Sequence, residues 1–206
     1  MSTVEPRVVV RPLATPLPLG FLALCIATLS FSAVQLHWIP ASQGHTVALA
    51  AVALTAPLQL LVCVIGFLAR DPVAATGMGV LAGSWAAAGL ATLSAPPGAL
   101  SGGLGIVLVG AGLAMLVPTA SALAKPVAAL VMGISALRFG VTGIAHLAAS
   151  DQWLTVAGWI GVVLAAVSLY AALAFELEAT AKRPVLPLLR RDAVATDEEP
   201  GVRSQL

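Results

Sequence analysis

The sequence predicts an all-α polytopic membrane protein, a bundle of six transmembrane helices. Three observations predict it. First, 59% of the 206 residues are hydrophobic and only 9% are charged, where a soluble domain carries about 25% charge; mean hydropathy is +1.00. Second, the apolar residues gather into six runs, each long enough for the roughly 20 residues that a helix needs to cross a bilayer. Third, short segments rich in Pro, Gly or charge separate the runs, and Arg or Lys falls at alternate segments only.

Residues 1–15 form a polar N-terminal segment with Arg7 and Arg11. Residues 16–176 hold the six-helix domain, and 177–206 form a C-terminal tail that reads as largely disordered, above all from Arg190. The first span, 19–38, is entered through Pro16 and Pro18, a favoured place for proline because its missing N–H would be unpaired there anyway. Alone this run would pass for a signal peptide; with five spans after it, an uncleaved first helix is the better reading. The second span, 46–69, contains Pro57 and Gln59. Arg70-Asp71-Pro72 turns the chain into the third span, 73–93, and Pro96-Pro97-Gly98 breaks it from the fourth, 102–124. Lys125-Pro126 separates the fifth, 127–149, and Ser150-Asp151 the sixth, 153–175.

Basic residues outside the spans precede the first helix, follow the sixth, and occur at Arg70 and Lys125; the other three loops have none. The positive-inside rule then puts both termini in the cytoplasm, with Trp38 and Trp153 at the outer interface. A net charge of +1 suggests no nucleic-acid partner. Cys25 and Cys63 both fall in apolar runs and carry no metal-ligand spacing. There is no HExxH, P-loop, GxSxG or pair of intramembrane acids, so no enzyme, metal or cofactor is expected. Gly79 and Gly83 form a GxxxG pair on the third span, a face that lets helices approach closely, within the chain or between subunits.

Arg138 lies at the middle of the fifth span. A guanidinium at that depth costs about 2.5 kcal/mol or more and marks a functional site by default. Ser135, Thr142 and His146 share its helical face, so a polar stripe runs from mid-membrane to one end. No Asp or Glu lies inside any span to pair with Arg138. Two readings follow: a tie between helices through carbonyls and hydroxyls, or a grip on an anionic substrate through paired hydrogen bonds. Gln59 reads either as a ligand contact or as an interhelical hydrogen bond. Trp85, a large ring at mid-span, reads as core or as a pore constriction.

Pro16-Leu17-Pro18-Leu19-Gly20 at the head of the first helix resembles the Asn-Pro-Ala-Pro-Leu-Gly signature of the acetate uptake transporter family, the succinate–acetate permease type. Gln59, Arg70-Asp71, Thr76 and Trp85 fall at family-like spacing, and Ala157-Gly158-Trp159-Ile160-Gly161 and Val185-Leu186-Pro187 resemble its last helix and exit. The resemblance implies a six-helix subunit with its own substrate path, assembly into hexameric rings, and passage of acetate and related small carboxylates, either proton-coupled or channel-like. It also implies an apolar constriction at Leu24 and Leu81, where the family has aromatic residues. Thr15 and Leu17 depart from the signature, Gly66 stands where related members have Glu, and Arg138 lies in a stretch that the family keeps apolar.

These expectations converge on a plasma-membrane transporter or channel for small monocarboxylates. Its path would be lined by Arg138, Thr142, Ser135, His146 and Gln59, with a neck at Leu24, Leu81 and Trp85. A channel for neutral solutes such as urea, and a structural or regulatory membrane protein with no path, are the alternatives.

Overall fold

The computed structural model describes residues 14–189. Six helices are long and apolar enough to cross a membrane: α1 Leu17–Gln35, α2 Ala41–Leu68, α3 Val73–Leu93, α4 Gly102–Ser121, α5 Pro126–Leu147 and α6 Asp151–Ala181. No strand occurs among the described residues. The chain is a multi-pass membrane protein, and with six crossings the described segment begins and ends at the same end of the bundle. In lipid every backbone N–H and C=O must be satisfied internally, which is why each apolar run becomes a helix.

Within α2 a π-helical turn, Ala51–Thr55, comes just ahead of Pro57. Proline has no N–H to continue the helical ladder, and a widened turn absorbs the break. A second π turn, Val73–Gly77, opens α3. The Thr55 hydroxyl donates to the Ala23 carbonyl of α1 at 3.3 Å, one turn of α2 away from Gln59.

Packing rests on small residues, since lipid tails supply no hydrophobic drive for helix association. α4 lies along α5 and α1 along α6. At the first seam Gly105 faces the Gly143 carbonyl and Gly112 the Ala136 carbonyl, so closely that a Cβ on either would stand 2.8–2.9 Å from backbone. Gly66 of α2 is similar: its Cβ would come within 2.6 Å of the Ala75 nitrogen. A side chain as large as glutamate has no room at this α2–α3 crossing. Of the GxxxG pair, Gly79 abuts the Cys63 sulfur, while Gly83 faces open space on the lipid side.

At the end that carries the termini, Asp71 ties two loops together. Its Oδ1 accepts from the N–H groups of Val73 and Ala74 at 3.1 and 3.2 Å, capping α3, and its Oδ2 binds the Lys125 ammonium at 2.9 Å. Burial works to raise the Asp71 pKa; Lys125 and the two N–H groups outweigh it and hold the carboxyl below its ordinary value. At the far end Trp38 and Trp159 pack edge to face with centroids 6.0 Å apart.

The last helix runs past the expected end at residue 175 to Ala181. Glu176 and Glu178 read as the exit from the membrane, but Ala-Phe-Glu-Leu-Glu-Ala is strong helix former whatever its solvent. The chain then turns back through Lys182 (φ 53°), and the Tyr170 hydroxyl donates to the Pro187 carbonyl at 2.7 Å with Leu188 buried beside it. The first part of the expected disordered tail is thus ordered. Residues 190–206, like 1–13 of the N-terminal segment, lie outside the described residues.

Candidate functional site

Arg138 is 2% exposed and reaches from α5 across to α1. One terminal N–H group donates to the Thr28 carbonyl at 2.9 Å, the other to Gln35 Oε1 at 3.3 Å. The Trp85 ring of α3 lies beneath the guanidinium, 5.6 Å from ring centroid to Cζ, a geometry that attracts a cation to the negative face of the ring. Space for the guanidinium comes from α6: a Cβ on Gly161 would collide with the Arg138 Nη1 and with the Ser32 hydroxyl, and would sit 2.5 Å from Cζ. Only glycine leaves this gap. The Gly161 carbonyl also accepts from the Thr28 hydroxyl at 3.4 Å, and Ser32 donates to the Thr28 carbonyl at 2.7 Å. Three helices thus meet at the arginine through backbone, amide and hydroxyl oxygens, and no carboxylate takes part among the described residues.

The guanidinium forms one wall of a cavity of about 40 Å³ together with Gln35, Trp85, Phe139, Thr142 and His146. One water needs roughly 10–15 Å³ of such space, so the cavity holds on the order of three waters. Phe31 and Phe139 flank Trp85 at centroid distances of 5.4 and 5.5 Å, giving the cavity aromatic sides. Thr142 donates to the Arg138 carbonyl, and Thr92, on the opposite wall, to the Ala88 carbonyl, both at 2.8 Å. His146 is half-buried, and its Nδ1 accepts the Ser101 backbone N–H at 3.1 Å. An imidazole that accepts at Nδ1 is neutral and carries its proton on Nε2, so the loop before α4 fixes the tautomer.

Of the expected path residues, Arg138, Thr142, His146 and Trp85 come together here. Ser135 does not join them: it is fully buried and donates to the Val131 carbonyl of its own helix at 2.8 Å. Leu24 and Leu81 are fully buried in the apolar core on the terminal side of Trp85, together with Phe21 and Met78. Gln59 lies a turn beyond them, where its amide N–H donates to the Gly20 carbonyl at 3.5 Å. Gly20 itself is pressed on Met78, whose sulfur would meet a Cβ at 2.5 Å. Of the other motif residues, Pro16 and Pro18 are at the head of α1, with Pro18 buried, and Leu19 faces outward. Three buried polar atoms have no hydrogen-bond partner among the described residues: Trp85 Nε1, Gln59 Oε1 and Ser168 Oγ. No group of metal-binding side chains occurs among the described residues.

Thr28, Phe31, Ser32, Gln35, Thr92, Phe139 and Gly161 are the site residues that sequence reasoning missed. Gln35 and Gly161 left a signal: a polar side chain two turns beyond Thr28, and two glycines three apart in an apolar helix.

No protein-family model and no curated protein sequence matches the chain. A solved structure does: that of the bacterial acetate channel SatP, with a TM-score of 0.75 and 20% sequence identity, over 85% of this chain and 99% of that one. At such identity the likeness is one of fold, and it agrees with the resemblance carried by the motifs at the two ends of the chain. The chain is a six-helix membrane protein with the fold of that acetate channel.

Proposed function

We propose that the chain is a channel or transporter for small monocarboxylates of the acetate class. One observation carries this reading: a fully buried guanidinium, in contact with no acid among the described residues, walls a cavity whose lining offers hydrogen-bond donors. A buried cation calls for a counter-charge, and a carboxylate supplies one that comes and goes. The likeness in fold to an acetate channel supports the same substrate class.

In this reading the end bearing the tryptophans faces outward and both termini are cytoplasmic, in the plasma membrane of a prokaryote. Carboxylate enters past His146 and Thr142, meets Arg138, and then passes the apolar neck of Leu24, Leu81 and Trp85 towards Gln59. Leu24 and Leu81 below Arg138 carry no group that could hand over a proton, so any coupled proton is carried by the substrate itself. The groove of about 370 Å³ on the lipid face between α4 and α5, with the open face at Gly83, supports assembly into a homo-oligomeric ring.

The hydrogen bond from Arg138 to the Thr28 carbonyl favours a second reading, in which the arginine only ties α1 to α5. A guanidinium has five N–H donors, and the two hydrogen bonds described leave donors to spare. Uptake of labelled acetate, succinate and urea into liposomes of purified protein tests the proposal. Acetate is expected to enter faster than urea; equal entry of all three, or of none, rejects it.

A further inference from the structure

We infer that, when no carboxylate is bound, the cavity beside Arg138 holds an inorganic monoanion of halide size. This rests on reading the cavity as an anion site and says what fills it at rest. The groups that touch the guanidinium, the Thr28 carbonyl, Gln35 Oε1 and the Trp85 face, are all neutral. The acids among the described residues are Asp71, engaged by Lys125 in the loops at the terminal end, and Asp151, Glu176 and Glu178, which lie ten or more residues along α6 from the Gly161 that faces the guanidinium. No acid among the described residues therefore touches the positive charge.

Trp85 and His146 both line the cavity. Trp85 carries a buried Nε1–H with no acceptor among the described residues, and His146 has a neutral ring with its proton on Nε2. Thr92 and Thr142 have spent their hydroxyl protons on carbonyls of their own helices. Phe31 and Phe139 complete the lining with aromatic rings. A space for about three waters admits a spherical ion with a water beside it. An ion of that kind accepts from donors in any direction, whereas a carboxylate asks for two parallel ones. Aromatic walls suit chloride or bromide, which give up water more readily than fluoride does. Halide and carboxylate then compete for one cation, and ambient chloride sets the apparent affinity for substrate.

The test uses the full chain purified in detergent, titrated with sodium chloride, bromide or fluoride at constant ionic strength, with gluconate as the balancing anion. Gluconate, a six-carbon chain, is too large for the cavity. Thermal unfolding reads binding without transport, because a ligand that binds only the native state stabilises it in proportion to ln(1 + [L]/Kd). Chloride and bromide are expected to raise the midpoint with concentration, and fluoride to do so far less. Trp85→Phe keeps the ring and removes the N–H, so the shift should need several-fold more chloride; Arg138→Gln should abolish it. If Arg138→Gln does not fold, Trp85→Phe decides. Coincident chloride and gluconate curves for the native chain overturn the inference, and so does a shift that Trp85→Phe leaves unaltered. Acetate uptake into liposomes is measured on the same preparations. Halide stabilisation without acetate uptake sinks the carboxylate reading alone; uptake without halide stabilisation sinks the halide site alone.

Discussion

Gly161→Ala is the smallest change that should disable the site, and its effect follows from one distance. The new Cβ would lie 2.5 Å from Arg138 Cζ, where ordinary contacts begin at 3.4 Å, so the guanidinium must retreat by nearly 1 Å. A long side chain usually yields at little cost. This one is enclosed: the Trp85 ring lies on one side, and a 2.9 Å bond to the Thr28 carbonyl holds it on another. Retreat strains or breaks a charge-assisted hydrogen bond worth about 1.5–3 kcal/mol, and overpacking of this size costs about 1–3 kcal/mol by itself. A loss of roughly 2 kcal/mol in unfolding stability is expected, with a rise in KM for acetate. The decisive measurement is a double-mutant cycle with Arg138→Gln, whose shorter side chain stops before the new methyl. The alanine then meets the Ser32 hydroxyl but no longer the guanidinium, so its cost should fall, leaving a coupling within the usual range of about 0.5–3 kcal/mol for contacting residues. Strictly additive effects, or a Gly161→Ala protein with native stability and KM, would refute the cradle.

Four other outcomes are expected. Arg138→Gln should lose most acetate uptake and Arg138→Lys part of it, since lysine keeps the charge and loses the planar fork; if the Gln variant assembles and transports at the native rate, the arginine is not the filter. Leu24→Phe or Leu81→Phe should slow larger carboxylates more than acetate by narrowing an apolar neck, and equal slowing of all solutes would remove these residues from the path. Asp71 has a depressed carboxyl, so its stabilising contribution is present above the unfolded pKa of about 3.9 and is lost as pH falls through the lower folded value; Lys125→Met should flatten the acid limb of an unfolding-versus-pH curve. Cysteines placed at Gln43, Gly98 and Gln152 should react with an impermeant thiol reagent on intact cells, and labelling of all three only after lysis would invert the proposed orientation.

Hydropathy alone made the six crossings legible, because each apolar run must close its own backbone hydrogen bonds in lipid. The same local logic put Arg138, Thr142 and His146 on one face, and they do share a cavity. It failed where the answer depends on another helix. Gln35 is 103 residues from Arg138 in sequence, and no period links the two. Ser135 belongs to the stripe by spacing, yet its hydroxyl is spent on its own helix and it does not reach the cavity. The motif glycines Gly20 and Gly161 are legible as small residues, but their purposes, room for Met78 and for a guanidinium, exist only once the helices are packed.

The placement of Arg138 explains why the bundle tolerates a charge that its span has no acid to match. A carbonyl at 2.9 Å, an amide oxygen at 3.3 Å and an aromatic face together hold the guanidinium without neutralising it. An Asp or Glu in the same place would have paired with it permanently and closed it to any ligand. Neutral dipoles leave its field directed at the cavity, where an anion gains most because water is scarce. The fully buried Leu24 and Leu81 below offer such an anion nothing. In the proposed function attraction above and refusal below act in turn. Arg138 draws the carboxylate into the cavity, and the apolar neck sets which solutes leave it by size and polarity.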